Sequence, residues 1–224
     1  MKRIFIPTRG ADDWRALLAD PKTHWRDGYS AKLLAERWEA AGEFPPEIRS
    51  LFESPQFSSP SDAELLLALP EHQVALPGGG RPSQNDLLVI ARLGGQLAVI
   101  AVEGKASESF GPTLEEWAAG ESAGKAVRLA FLQETLGLPT PLPPQLRYQF
   151  LHRTVSAVIE AQRFCASQAA MIVHSFSPTD EGLADYQVFL GCFGVRGRPG
   201  ELVPVGCCAG VSLYCGWARG RVGS

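Results

Sequence analysis

Two apolar runs, DLLVIARL (86–93) and QLAVIAVE (96–103), are separated only by Gly94-Gly95. So short a connection closes an antiparallel hairpin. The tight turns that match strand twist need positive φ, which glycine adopts at no steric cost. With the two glycines as turn residues, Leu93 faces Gln96 and every opposed pair sums to 189, which sets Asp86 across from Glu103. Directly opposed residues have Cβ atoms roughly 5 Å apart. Lys105 lies two residues past Glu103 and shares its face, because strand side chains alternate. The hairpin therefore ends with two acids and a lysine on one face, and a shift of a single residue would break the alignment.

Opposed carboxylates repel unless something compensates. A shared proton, the Lys105 ammonium or a divalent cation could each do so. Mg²⁺ prefers oxygen ligands and commonly takes one or two carboxylates, keeping water for the rest. A lysine beside such an ion could orient a water or stabilise developing negative charge. That is the outline of a hydrolytic site for a phosphodiester. The residues alone also allow a strand end that simply meets solvent.

Around the hairpin, SAKLLAERWEAAG (30–42) reads as a helix with Ser30 as N-cap and Gly42 past its end. A stretch rich in Pro, Ser and Phe (44–60) reads as an ordered surface loop. Residues 61–69 read as a short helix stopped by Pro70, and 72–76 as a strand before the Pro77-Gly78-Gly79-Gly80 loop. Thr113 to Glu116 has the form of a capping box, and a helix runs to about Leu136 with Gly137 and Pro139 as stop signals. A helix at about 146–166 precedes expected strands at 169–176 and 185–191. The tail, 201–217, reads as one or two further strands. The order implies an α/β fold with a mixed sheet flanked by helices, in a single domain.

Composition bounds the function. The formal net charge of −3 shows no basic field of the kind that advertises a nucleic-acid partner, which leaves room only for a local groove. The five cysteines have no zinc-ligand spacing and read as reduced, mostly buried thiols. MKRIFIPTRG has too short an apolar run for a signal peptide, and no segment has the apolar length of a membrane span. The expectation is a cytoplasmic protein with no membrane partner.

Asp86 followed 17 residues later by Glu103-Gly104-Lys105 resembles the PD-(D/E)XK motif of the restriction-endonuclease-like nuclease superfamily. Asn85 stands where the motif has proline. The order of elements is similar to that family's α-β-β-β-α-β core. The likeness spans about 61–191, with an N-terminal helical extension (1–60) and a C-terminal β extension (192–224). It implies Mg²⁺ or Mn²⁺ held by Asp86, Glu103 and the Gly104 carbonyl, with Lys105 positioning the attacking water. An acid from the preceding helix, Glu64 or Glu36, would join them. It implies phosphodiester hydrolysis, with DNA as the expected substrate. Members of the superfamily that have lost catalysis make a non-catalytic binding protein the alternative, and acid/base work on a small molecule is a third reading. Oligomers are common in the superfamily, which makes a homodimer the expected assembly, with the apolar tail (201–217) as a candidate interface.

Other candidates surround this set. On the helix after the motif, Gln149, Arg153, Ser156, Glu160 and Arg163 form one stripe, either a solvated face or one turned to the site. Arg147, Gln149, His152 and Arg153 are candidate substrate-binding residues, and Gln84, opposite Lys105 on the assumed register, would lie beside the site. The segment 81–86 could close over a substrate. His174, inside the apolar run AMIVHSF, reads as a satisfied core residue. Trp14, Trp25, Trp38 and Trp117 are too scattered in sequence for a stacking platform and read as packing.

Overall fold

A computed structural model describes residues 8–53, 63–120 and 122–221. A six-stranded mixed sheet, ordered β1-β2-β3-β4-β6-β5, lies between helices on both faces. The strands are β1 Glu64–Val74, β2 Ser83–Leu93, β3 Gln96–Lys105, β4 Gln168–Ser175, β5 Leu202–Cys208 and β6 Val211–Arg219. β1, β2 and β3 form an antiparallel meander, while β4 pairs parallel to both β3 and β6. The parallel β3–β4 step needs a crossover, and the helical segment between them supplies it.

The helices are α1 Pro21–His24, α2 Ser30–Ala41, α3 Pro46–Arg49, α4 Leu114–Ala118, α5 Ala123–Leu136, α6 Tyr148–Arg163 and α7 Leu183–Gly191, with 3₁₀ turns at Ala11–Leu17 and Ser50–Glu53. The hairpin turn forms as its glycines demand, with φ of 56° at Gly94 and 77° at Gly95. Leu93 pairs with Gln96 and the ladder runs to Leu87 opposite Val102, the pair next to Asp86 and Glu103. Alternation divides the hairpin between two cores. Leu88, Ile90, Val99 and Ala101 pack with α6 and α7, whereas Leu87, Val89, Ile100 and Val102 pack with α2. Both faces are covered, so the run is apolar without a break.

Several expectations are corrected. Residues 64–69 belong to β1, not to a helix; Leu-rich ELLLAL favours helix intrinsically, but pairing with β2 overrides that preference. Residues 61 and 62 lie outside the described residues. The segment 185–191 is helical: Tyr186, Phe189 and Leu190 are its buried positions, spaced three and four apart as on one helix face. The 44–53 part of the expected surface loop buries Phe44, Ile48, Leu51 and Phe52 against the sheet, and 54–60 lies outside the described residues. α2 is capped one residue earlier, at Tyr29, because the Ser30 N–H donates to the Glu108 carboxylate. The 83–86 part of the expected substrate flap is locked into β2. Cys165 and Cys207 are exposed, and Cys208 and Cys215 are the buried pair. Among the described residues no helix is long and apolar enough to cross a membrane.

Candidate active site

The acids gather at one end of the central strands, where the alternation that buries Val99 and Ala101 towards α6 carries Glu103 and Lys105 to the same side. Here α6 lays its polar stripe over them. The Gln149 Nε2–H donates to Glu103 Oε1 at 2.7 Å, and Lys105 Nζ lies 2.9 Å from the same oxygen. The Arg153 guanidinium spans the pair, with Nε 2.6 Å from Glu103 Oε2 and an Nη 3.5 Å from Asp86 Oδ1. The stripe on α6 is solvated only at its end, where Arg163 is exposed, while Arg153, Ser156 and Glu160 are all buried. Lys105 also donates to the Ser109 carbonyl at 3.3 Å and sits 4.8 Å from the centre of the Phe110 ring.

Sequence reasoning missed Glu71. β1 pairs Pro70 with Leu87 and His72 with Asn85, so Glu71 falls in line with Asp86, and the row Glu71, Asp86, Glu103 crosses three neighbouring strands. Its backbone is left-handed, with φ of 54°, a conformation a non-glycine residue holds only where its surroundings impose it. Gln84 donates to Glu71 Oε2 at 2.7 Å, which places Gln84 at the site through β1.

Charge does not balance here. Glu71, Asp86 and Glu103 face two cations, Lys105 and Arg153. A fourth acid, Glu108, is held below the usual carboxylate range despite its burial by the N–H groups of Ser30 and Ala106. Burial and the Glu103 charge push Asp86 up to about 7, and burial and the Asp86 charge push Glu71 up to about 8. Glu103 goes the other way: burial would raise it, but Arg153 and Lys105 more than offset that and hold it low. Burial, with Arg153 close by, keeps His152 neutral, and its Nδ1 shares a hydrogen bond with Ser83 Oγ at 2.8 Å.

A cavity of about 440 Å³ opens onto this group, lined by Glu71, Gln84, Asp86, Glu103, Lys105, Gln149, His152 and Arg153 among others. Of the candidate residues, Glu64 lies elsewhere, paired with Arg92 at 2.9 Å, and Glu36 is an exposed residue of α2 near Lys32. Arg147 is turned away from the acids, bound to the Gly111 carbonyl and 3.1 Å from Asp185. Gly104 reaches the site through its N–H, which donates to Asp86 Oδ2 at 2.9 Å.

Among the described residues no three His, Cys, Asp or Glu side chains converge closely enough to hold a metal ion. A cation would rest on Asp86 and Glu103, completed by water, which is the usual demand of Mg²⁺. Ionised carboxylates offer about four lone-pair sites each. Asp86 accepts from Arg153 and the Gly104 N–H only, and the surplus negative charge calls for a further cation or a proton. Glu103 already accepts from Gln149, Lys105 and Arg153, so the oxygen sites left for a hard divalent ion lie mainly on Asp86.

His174 is a satisfied core residue. It accepts from the Trp38 indole at Nδ1 (3.2 Å) and so donates from Nε2 to Glu47 (2.9 Å). A family model described as a domain of unknown function (DUF6946) matches residues 7–222. No curated protein and no solved structure matches.

Proposed function

The chain belongs to the DUF6946 family, and within that family we propose that it is a metal-dependent phosphodiesterase of the restriction-endonuclease-like kind, acting on nucleic acid. The carrying observation is the alignment of Asp86, Glu103 and Lys105 beneath Arg153, in a cavity where acids outnumber cations. The element order α2-β1-β2-β3-α6-β4, with β3 and β4 parallel, supports the same reading.

Asp86 and Glu103 would hold Mg²⁺ or Mn²⁺, which supplies Lewis-acid activation of water and of the phosphoryl oxygen. Lys105, fixed by Glu103 and the Ser109 carbonyl, would orient the attacking water from the side of β3. Arg153 would keep the two carboxylates apart and lend positive charge to the phosphoryl oxygens as negative charge grows there. Gln149 fixes the Glu103 carboxylate, so its role is positioning.

The second reading is a non-catalytic binding protein, favoured by the fact that Arg153 already spans both acids. One pair of measurements separates the two. Mn²⁺ or Mg²⁺ is expected to raise the melting temperature by several degrees, and Asp86→Ala to remove that response. Cleavage of plasmid or single-stranded oligonucleotide is expected to disappear in Lys105→Ala. Absence of any metal response sinks the enzymatic reading.

A further inference from the structure

The cavity over the acids continues past α6. It shares Tyr148 and His152 with a second cavity of about 260 Å³, which in turn shares Trp117 with a third of about 630 Å³ along α5. The three cavities thus adjoin one another from the carboxylates, past the start of α6, to α5, and together outline a trough. Its spine is aromatic. Trp117 stacks on Tyr148 at 4.2 Å between ring centres and 11° between planes, and Tyr148 meets His152 at 4.8 Å.

Charge is segregated along the trough. The acids are confined to the first cavity, and among the described residues every charged side chain lining the other two is a cation: Arg81, Arg128 and Lys125. Arg128 donates to four carbonyls of the 76–81 loop, and Lys125 donates to the Ala119 and Gly120 carbonyls while lying 5.8 Å from the Trp117 ring centre. These carbonyl partners are neutral and bring no acid to either cation. Arg81 is exposed at the rim.

Three adjoining cavities, with aromatic rings in their walls and cations along the second and third, suit an extended polyanion carrying flat groups. We propose that the trough binds single-stranded nucleic acid, with nucleobases on the Trp117–Tyr148 stack and one phosphodiester link led to the acids. The inference deepens the hydrolytic reading and rests on it for the fate of that link. Duplex bases are stacked on one another and face inward, so they cannot reach the Trp117–Tyr148 pair.

The test is fluorescence anisotropy of the full chain with labelled oligo(dT), oligo(U) and a duplex of equal length, in EDTA at fixed salt. A single strand of one or both chemistries is expected to bind at least tenfold tighter than the duplex. Trp117→Ala should weaken it about tenfold and Trp117→Phe should restore it, the size expected for one base–aromatic stack. Equal duplex affinity, or no effect of Trp117→Ala, overturns the trough. If Trp117→Ala lowers the melting temperature, Arg81→Glu serves instead. It should weaken single-strand binding several-fold and flatten its salt dependence, and an unchanged salt slope overturns the proposal. Cleavage in Mg²⁺ is scored separately. Single-strand binding with the Trp117 effect but no cleavage keeps the trough and removes the hydrolytic reading; cleavage with no Trp117 or Arg81 effect does the reverse.

Discussion

Arg153 is the side chain on which the site's electrostatics turn. It is 8% exposed and holds two carboxylates that would otherwise repel across the hairpin. Arg153→Leu removes one partner of a buried network and leaves Lys105 as the single cation beside the acids, a change that costs about 3–5 kcal/mol. Urea denaturation should show that loss. Glu71→Gln acts in the opposite sense. A carboxyl whose folded pKa is raised binds protons more tightly when folded, so its contribution to stability falls as pH climbs from about 4 through about 8. In EDTA the variant should be roughly 1–2 kcal/mol more stable than the parent at pH 8 and little changed at pH 5, read by thermal melts. Asp86, Glu103 and Lys105 were legible from sequence because a two-residue turn fixes their register. Glu71 was not, since the 75–82 connection to β2 is long enough to permit many registers. The stripe carrying Arg153 was equally visible, but a polar stripe reads the same whether it meets water or buried acids.

At the scale of elements, the contact between α5 and the glycine loop is unusually close. A Cβ on Gly124 would lie 2.2 Å from the Gly78 carbonyl oxygen, and Gly78 itself has φ of 86°. Glycine to alanine inside a helix ordinarily stabilises by up to about 1 kcal/mol. Here Gly124→Ala is expected to destabilise by about 1–3 kcal/mol, because backbone must move, and calorimetry gives the sign directly. Elements were legible where local chemistry is decisive. The double-glycine hairpin, the Thr113–Glu116 capping box and Gly137 at the end of α5 all formed as their residues dictate. β1 and α7 were misread because their residues favour the other state locally. Leu-rich β1 is held extended by β2, and aromatic α7 buries a face against the core that contains Phe150 and Trp217.

Across the whole molecule, two polar networks sit on opposite faces of one sheet. On the α2 side, burial would raise Glu47, but hydrogen bonds from Arg37 and His174 hold it well below the usual carboxylate range, while burial lowers His174. Both groups bind protons less well folded than unfolded, so their stabilisation is complete above about pH 6.5 and is lost as pH falls. The contribution of this network should therefore drop below about pH 6.5, opposite in sign to that of Glu71 and Asp86, and the difference in melting temperature between the parent and Glu47→Gln should shrink as pH falls below about 4.5. On the α6 side the three acids come from strands close in sequence, whereas Arg153 arrives from a helix far along the chain. Without α6, the meander alone would leave Glu71, Asp86 and Glu103 in a row with only Lys105 to screen them. Docking of α6 is thus an act of neutralisation as well as of packing. Refolding followed by stopped flow is expected to quicken when the acids are protonated, the mark of a site whose assembly limits the rate of folding.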